Sequence, residues 1–265
     1  MTLRAAMLQV TESRQTEILE LLREKRFVDV RTLTERLGVS VATIRRDLAE
    51  LEGAGQLRRT HGGAVSVSQV ALDPGYADRA VSNLKEKTRI AETAAAMVQD
   101  GDTVMLDAGT TALEVARKLS LRNGLTFLSN GADILAELTG NDRNPVYAVG
   151  GEYAAINRSY RGPMAEHFIR QFRVDKLILN AASVDLERGV IFTGSPANAA
   201  VQKVMIEMAG QVIVVADHSK FFKPSFSVVA PIAAMEAVVT DDGAAEVIAA
   251  APPPLRSKFI IAPAR

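Results

Sequence analysis

Several residue types are absent or rare in this sequence. Its 265 residues include no cysteine and no tryptophan, and only three histidines, His61, His167 and His218. Without cysteine, the chain cannot form disulfides, thiolate metal sites or a cysteine nucleophile. The three histidines lie too far apart in sequence to place two metal ligands on one helix. We therefore expect neither a metal nor a cofactor.

Long apolar runs and an excess of charge of one sign are absent as well. No uncharged apolar stretch reaches the roughly 18 residues of a membrane span, and the N-terminal residues carry too short an apolar stretch for a secretory signal. These absences predict a soluble, cytoplasmic protein that does not bind a membrane. Basic and acidic residues number 31 each. An argument for nucleic-acid binding must therefore rest on where the basic residues lie.

The length of the chain favours two domains, at about 150 residues per domain. In the first, predicted over residues 1–65, apolar residues at helical spacing indicate three short helices. These cover 13–24, a second stretch that ends at Gly38, and 41–52. The alternating stretch 56–67 indicates a small hairpin. Three helices followed by a hairpin are typical of a winged helix-turn-helix.

The third predicted helix carries the residue types that read DNA. Ile44, Leu48 and Leu51 recur at intervals of four and three, which defines the buried side and leaves the polar side outward. Guanidinium groups bond guanine edges or phosphate oxygens, and hydroxyl groups near the helix start reach the DNA backbone. A solvated face, in which Asp47 and Glu50 pair with the arginines, is the alternative. With the basic groups of the hairpin, the candidates are Ser40, Thr43, Arg45, Arg46, Arg58, Arg59 and His61.

A linker and an α/β domain are predicted beyond the hairpin. Residues 66–83 show no sustained period, and we interpret them as the linker. The second domain, predicted over 84–265, alternates helical stretches with β-branched runs, which indicates parallel strands and crossover helices in a Rossmann-like sheet. The predicted strands are 103–106, 125–128, 146–149, 176–179, 212–216 and 237–240, and the predicted helices are 85–99, 111–119, 132–138 and 197–208.

Polar or glycine-rich turns follow four of these predicted strands. The turn at 107–111 leads directly into a helix, 129–131 and 150–151 follow the next two strands, and 217–220 adds a carboxylate and an ammonium group. Lys203 would add a second positive charge, although a solvated lysine is the simpler interpretation. Ligands in open α/β sheets bind at the carboxyl ends of strands, and amides at a helix start bind phosphate. Together the turns favour a pocket over separate helix caps.

Two strings near the N-terminus carry a resemblance to a known family. VSVATIRRDLAELE at 39–52 and RRTHGGA at 58–64 resemble the DNA-binding domain of the DeoR family of bacterial transcriptional regulators. The segment 84–242 is similar to the effector domain of that family in LDAGTT, in its SN and GG turns and in DHSKF. The resemblance therefore covers nearly the whole chain.

This resemblance implies roles for particular residues. It places Ser40, Thr43, Arg45 and Arg46 on a recognition helix and Arg58 on the wing. It implies a domain that senses small metabolites, typically phosphorylated sugars, with a fold related to ribose-5-phosphate isomerase and CoA transferases. The pocket candidates that it implies are Asp107, Gly109, Thr110, Thr111, Ser129, Asn130, Gly150, Gly151, Lys203, Asp217 and Lys220. Asn180 and Ser183 stand where the family usually has glycine, so we expect their side chains to narrow or re-polarise the pocket.

A sugar-phosphate isomerase is the main alternative function. The catalytic acidic positions of the related isomerases align with Leu179, Ala182 and Ser183, and their Glu-Lys pair aligns with Gln202 and Lys203. Leucine, alanine and glutamine cannot act as general bases. A CoA transferase would need a glutamate nucleophile, and no acidic residue is in a convincing setting for one. A DNA-binding scaffold without an effector is a third reading, which the strand-end turns disfavour.

The sequence as a whole thus predicts a regulator and not an enzyme. We expect a repressor that binds double-stranded operator DNA and acts as a homo-oligomer, a dimer or a tetramer, on repeated half-sites. Its expected effector is a phosphorylated small molecule, which would change operator affinity by binding one arrangement of the protein more tightly than another.

Overall fold

The computed structural model describes residues 14–22, 27–53, 57–60, 62–66, 76–140, 142–223 and 225–264, without the side chains at positions 58, 60, 65 and 66. The chain divides into two compact units, Met1–Val70 and Ala71–Arg265, with the division inside the predicted linker. Within the described ranges, no helix is both long and apolar enough to cross a membrane.

The described part of the first unit combines three helices with a small antiparallel sheet of strand order β1-β3-β2. The predicted helices and hairpin are confirmed. Strand β1 was not predicted, because three residues carry too little alternation to be recognised. The elements are α1 (14–22), β1 (Phe27–Asp29), α2 (Val30–Leu37), α3 (Val41–Gly53), β2 (Leu57–Thr60) and β3 (Gly63–Ser66).

Local capping fixes the turn between α2 and α3. Gly38 ends α2 in the left-handed conformation, with φ 64°, and its amide donates to Thr34 O at 3.1 Å. Ser40 Oγ accepts from the amide of Thr43 at 3.2 Å and so caps α3. Ile44 and Leu48 of α3 are buried in a core that also contains residues of α1, α2 and the sheet. The apolar stripe therefore sets which face of α3 points outward.

The second unit contains the predicted α/β sheet together with smaller additions. Its helices are α4 (Tyr76–Val81), α5 (Leu84–Ala96), α6 (Thr110–Leu119), α7 (Ala132–Leu138), α8 (Pro163–Ile169), α9 (Pro196–Met208), α10 (Ala245–Ala249) and α11 (Pro253–Arg256). Its strands are β4 (Thr103–Leu106), β5 (Thr126–Ser129), β6 (Val146–Ala148), β7 (Glu152–Ala154), β8 (Ser159–Arg161), β9 (Val174–Asn180), β10 (Ser183–Asp185), β11 (Val190–Thr193), β12 (Ala209–Val215), β13 (Ser227–Pro231), β14 (Ala237–Thr240) and β15 (Phe259–Ile261).

A seven-stranded sheet of order β15-β14-β12-β9-β4-β5-β6 forms the centre of this unit. All its neighbouring strands are parallel, as predicted. The chain proceeds from β4 towards one edge and from β9 towards the other, so the direction of winding reverses between these two strands. Ligands bind in such sheets where the winding reverses, beyond the carboxyl ends of the strands.

Several features of this unit differ from the sequence prediction. A three-stranded sheet of order β10-β11-β13 and the hairpin β7-β8 were not predicted, and neither was the edge strand β15. The interpretation of residues 66–83 as a linker is corrected in its second half, because 76–81 form α4. Helix α4 has no buried residue and hence no apolar stripe that a sequence pattern would reveal.

Candidate functional sites

The outward face of α3 presents two arginines that lack a partner among the described residues. Arg45 and Arg46 are exposed. Neither makes a hydrogen bond or an ion pair with any described residue. Thr43 Oγ1 and Ser40 Oγ lie 2.9 Å apart beside them at the start of the helix. The guanidinium groups are therefore available to bind phosphate or base edges.

The acidic neighbours of these arginines are engaged elsewhere. Asp47 is buried and accepts two hydrogen bonds from Arg14 of α1, at 2.6 and 2.9 Å. Glu50 accepts a hydrogen bond from Gln15 at 2.8 Å. This arrangement does not match the alternative of a solvated, neutralised helix face. In that alternative, Asp47 and Glu50 would pair with Arg45 and Arg46.

Of the three predicted wing residues, only Arg59 has its side chain in the described part of the structure. Arg59 Nε donates to Glu52 of α3 at 2.8 Å, and the Arg59 amide also donates to that carboxylate at 2.8 Å. Glu52 thus offsets the charge of Arg59. Arg58 lies in β2, with its side chain outside the described part of the chain, and His61 lies outside the described residues.

A cavity lies where the winding of the large sheet reverses. It includes six of the predicted effector residues, namely Asp107, Gly109, Thr110, Thr111, Asn130 and Lys220. The complete lining is Arg79, Asp107, Ala108, Gly109, Thr110, Thr111, Asn130, Asn157, Ser159, Arg161, Asn180, Ala181, Ala182, Thr193, Asn198, Val201, Gln202 and Lys220. Among the described residues, no three histidine or acidic side chains are grouped as metal ligands would be.

Asp107, directly after β4, is the buried acidic group of this cavity. Its Oδ2 accepts from Gln202 Nε2 at 2.7 Å and from the amide of Asn180 at 3.3 Å. Burial raises the pKa of Asp107 to about 6, although these hydrogen bonds favour the ionised form. The negative charge in the cavity therefore changes between pH 5 and 7.

The side chain of Asn180 explains the glycine at position 109. A Cβ on Gly109 would lie 2.5 Å from Asn180 Cγ, which is closer than two non-bonded carbon atoms approach each other. Asn180 Nδ2 donates to Asp107 O at 2.9 Å, and its Oδ1 accepts from the amide of Ala112 at 3.3 Å. The expectation that Asn180 adds polarity to the pocket is confirmed, since it lines the cavity. Ser183 does not line it, because its hydroxyl donates to Lys223 O.

Three of the predicted pocket residues do not line the cavity. Ser129 Oγ donates to Leu106 O at 2.8 Å and accepts from the amide of Gly131, which joins the ends of β4 and β5. Gly150 is exposed outside the cavity. Gly151 has φ 135°, and a Cβ there would lie 2.7 Å from Arg161 O. It therefore permits the close approach of β8.

The remaining two predicted residues outside the lining are charged. Lys203 is exposed on α9, as the simpler interpretation of a solvated lysine expects. Asp217 is buried outside the lining and accepts from Asn83 at 2.9 Å and from the Ser219 amide at 3.0 Å. Burial raises the pKa of Asp217, but Lys220, these hydrogen bonds and Lys87 outweigh burial and leave it below its ordinary value.

The structure also brings in residues that sequence reasoning missed. Arg161 ends β8 and pairs with Glu152 at 2.8 Å. Arg79 belongs to α4, inside the predicted linker. Gln202 precedes Lys203 on α9, and its Nε2 also donates to Asn180 O at 3.0 Å. Since Ala199 and Met205, three positions before and after it, are buried, the helical period alone would have placed Gln202 inward.

Comparisons with known proteins agree with this division of the chain. A family model described as a DeoR-like helix-turn-helix domain matches residues 14–70. A second, described as the DeoR C terminal sensor domain, matches residues 82–242.

Curated relatives match along almost their whole length. The chain is 58% identical over 252 residues to the transcriptional repressor AccR of Agrobacterium fabrum, covering 95% of this chain and 98% of the relative. It is 36% identical over 228 residues to the HTH-type transcriptional regulator GlpR of Haloferax volcanii, covering 86% and 89%. Among solved structures, ribose 5-phosphate isomerase A of Methanocaldococcus jannaschii is similar over 54% of this chain and 56% of that chain, with 19% identity and a TM-score of 0.41.

Proposed function

Because the chain belongs to the DeoR family of transcriptional regulators, we propose that it is a repressor whose operator affinity is set by a phosphorylated small molecule in the cavity beside β4. The chain is a regulator and not an enzyme, since the relatives that it matches along nearly their whole length are regulators. Its helix-turn-helix domain binds DNA, and its second unit is a sensor domain.

The phosphate assignment is supported by Lys220 and the start of α6, which face the same cavity. The ammonium group of Lys220 makes no direct hydrogen bond or ion pair with a described residue, and it interacts with the carboxylate of Asp217 at longer range. The amides of Thr110 and Thr111 open α6 and donate to no described acceptor. Free amides at a helix start, together with a lysine, bind a phosphate group. The effector that fits best is therefore an anion.

Two DNA-reading helices are needed for a specific site. A single small winged helix contacts few base pairs, and a symmetric pair reads two half-sites. We infer that the protein works as a homo-oligomer. An effector that binds one arrangement of its sensor domains more tightly changes operator affinity by that difference in binding free energy.

Lys220 and Lys203 provide a matched pair for testing the phosphate site. We expect Lys220→Ala to weaken binding of the effective sugar phosphate at least about tenfold, because a charge-assisted hydrogen bond contributes about 1.5–3 kcal/mol. Lys203→Ala should leave binding unchanged, since Lys203 is exposed outside the lining. The measurement is a thermal-shift titration with sugar and polyol phosphates beside their unphosphorylated counterparts. Equal stabilisation by both forms, or equal effects of the two substitutions, would contradict the phosphate assignment.

The titration of Asp107 predicts how anion binding depends on pH. Its pKa of about 6 means that its negative charge is largely lost between pH 7 and pH 5. Sulfate, which stays doubly charged over this range, should therefore bind more tightly at pH 5, by about 1 kcal/mol or several-fold. Isothermal titration with sulfate measures this change. Asp107→Asn should bind sulfate with an affinity that no longer depends on pH, whereas a retained pH dependence would assign the effect to another group.

A further inference from the structure

Helix α4 is attached to the second unit without an apolar anchor. None of its residues is buried, and Val81 is 75% exposed. Helices usually dock through an apolar stripe whose burial supplies most of the free energy of docking. The position of α4 therefore depends on polar and charged contacts.

Two basic side chains supply much of this attachment. Arg79 of α4 donates through Nη2 to Ile156 O at 2.7 Å and to Asn157 Oδ1 at 3.0 Å. Lys87, which is buried on α5, donates from the second unit to α4 and the residue after it, through hydrogen bonds to the backbone oxygens of Arg79 and Ser82. The C-terminal half of α4 is thus held by hydrogen bonds from charged side chains.

The aromatic ring at the start of α4 belongs to the same cluster. Arg79 and Arg158 lie over the Tyr76 ring, 5.7 and 5.4 Å from its centroid. Partial burial of the Tyr76 hydroxyl, followed by a hydrogen bond with Asp133, raises its pKa. The contacts of the Tyr76 ring with Arg79 and Arg158 are electrostatic, as are the hydrogen bonds of Arg79. An anion bound nearby would therefore change the strength of all of them.

Arg79 and Asn157 also line the cavity that holds Lys220 and the start of α6. A guanidinium group presents its donors in a planar fork that matches two phosphate oxygens. We propose that Arg79 binds the anionic effector directly, so that the docking of α4 depends on whether the cavity is occupied. This inference rests on the proposed function of the cavity as an anion site.

Helix α4 lies close in sequence to the helix-turn-helix domain, so its docking bears on the segment that leads to that domain. The family match to the helix-turn-helix domain ends at residue 70, and α4 begins at Tyr76, so only a short segment separates them. A ligand that binds the docked form of α4 more tightly shifts α4 towards that form. Binding of a ligand in the cavity thereby changes how firmly the residues that lead to the DNA-reading unit are held, and Arg79 is the residue that connects the two.

Hydrogen exchange of the full chain tests this proposal, with inorganic phosphate as the probe. We expect saturating phosphate to slow exchange of the peptide that covers residues 76–83 at least threefold. Arg79→Gln should bind phosphate about tenfold more weakly and show no slowing at its own saturating concentration. Arg79→Lys, which keeps the charge, should recover most of the affinity, and circular dichroism should show that each variant is folded.

Arg161→Gln is the matched control, because Arg161 lines the same cavity but belongs to β8. It should weaken phosphate binding and still show slowed exchange of residues 76–83 at saturation. Phosphate binding to the wild type without any change in that peptide would overturn the role of Arg79 and leave the anion site standing. If neither phosphate nor any sugar phosphate binds the wild type, the anion site itself is wrong and this inference with it.

Discussion

Replacing Arg45 and Arg46 together by alanine is expected to weaken operator binding at least about 100-fold, since each arginine that reads a base edge contributes about 1–3 kcal/mol. Both side chains are exposed on α3 and lack a partner among the described residues. The fold should be retained, because the core of this unit contains neither residue. Fluorescence anisotropy with an operator selected from random duplexes measures the effect.

Arg31 and Arg36 of α2 provide the control for charge alone. They are exposed arginines of the same unit, and they pair with Glu35 at 2.9 Å and Glu17 at 3.8 Å. Their double replacement by alanine removes the same formal charge and should weaken binding only a few-fold, through the general attraction to phosphate. If both double variants bind the operator equally well, α3 does not read the DNA.

Asp47→Ala is expected to lower the free energy of unfolding of the DNA-binding unit by about 3 kcal/mol, because it leaves the charge of Arg14 without its partner. Asp47 and Arg14 form two hydrogen bonds between α3 and α1, and their side chains are 2% and 15% exposed. The remaining exposure of Arg14 places the cost at the low end of the range for a broken buried pair. Native-state hydrogen exchange at the amides of Ile44 and Leu48 reports this local stability.

Glu50→Ala is the control on the same helix. Glu50 is exposed and accepts a single hydrogen bond from Gln15. Its replacement should cost less than about 0.5 kcal/mol, as exposed contacts do. Similar losses for Asp47→Ala and Glu50→Ala would mean that burial adds nothing to the Arg14 contact.

The parts of the fold with strong periodic signals were predictable from the sequence. Strands Thr103–Leu106 and Ala237–Thr240 and helix Ala132–Leu138 have the predicted bounds, because their residues are apolar at the spacing of their element. Strands β1 and β15, of three residues each, were missed, whereas the equally short β6 falls within the predicted strand 146–149. Three residues show little alternation, and pairing with a neighbouring strand defines β1 and β15.

The candidate site was predictable where a turn follows a strand directly. Asp107 to Thr111 lie in the lining as expected, because the end of β4 places them there. Lys203 was chosen for its charge, whereas the phase of α9 turns Gln202 inward. Arg79 reaches the cavity through contacts with Ile156 and Asn157, far away in sequence. No local pattern indicates such a contact.

The contact between Gly109 and Asn180 couples these two positions of the cavity. A Cβ at position 109 would overlap the end of the Asn180 side chain, so alanine at 109 requires that side chain to move. Such a movement would break the hydrogen bonds by which the Asn180 amide group holds Asp107 O and the amide of Ala112 at the start of α6. A substitution at either position therefore changes what the other side of the cavity tolerates. Gly109→Ala should be tolerated better when residue 180 has a smaller side chain, because the overlap is then removed.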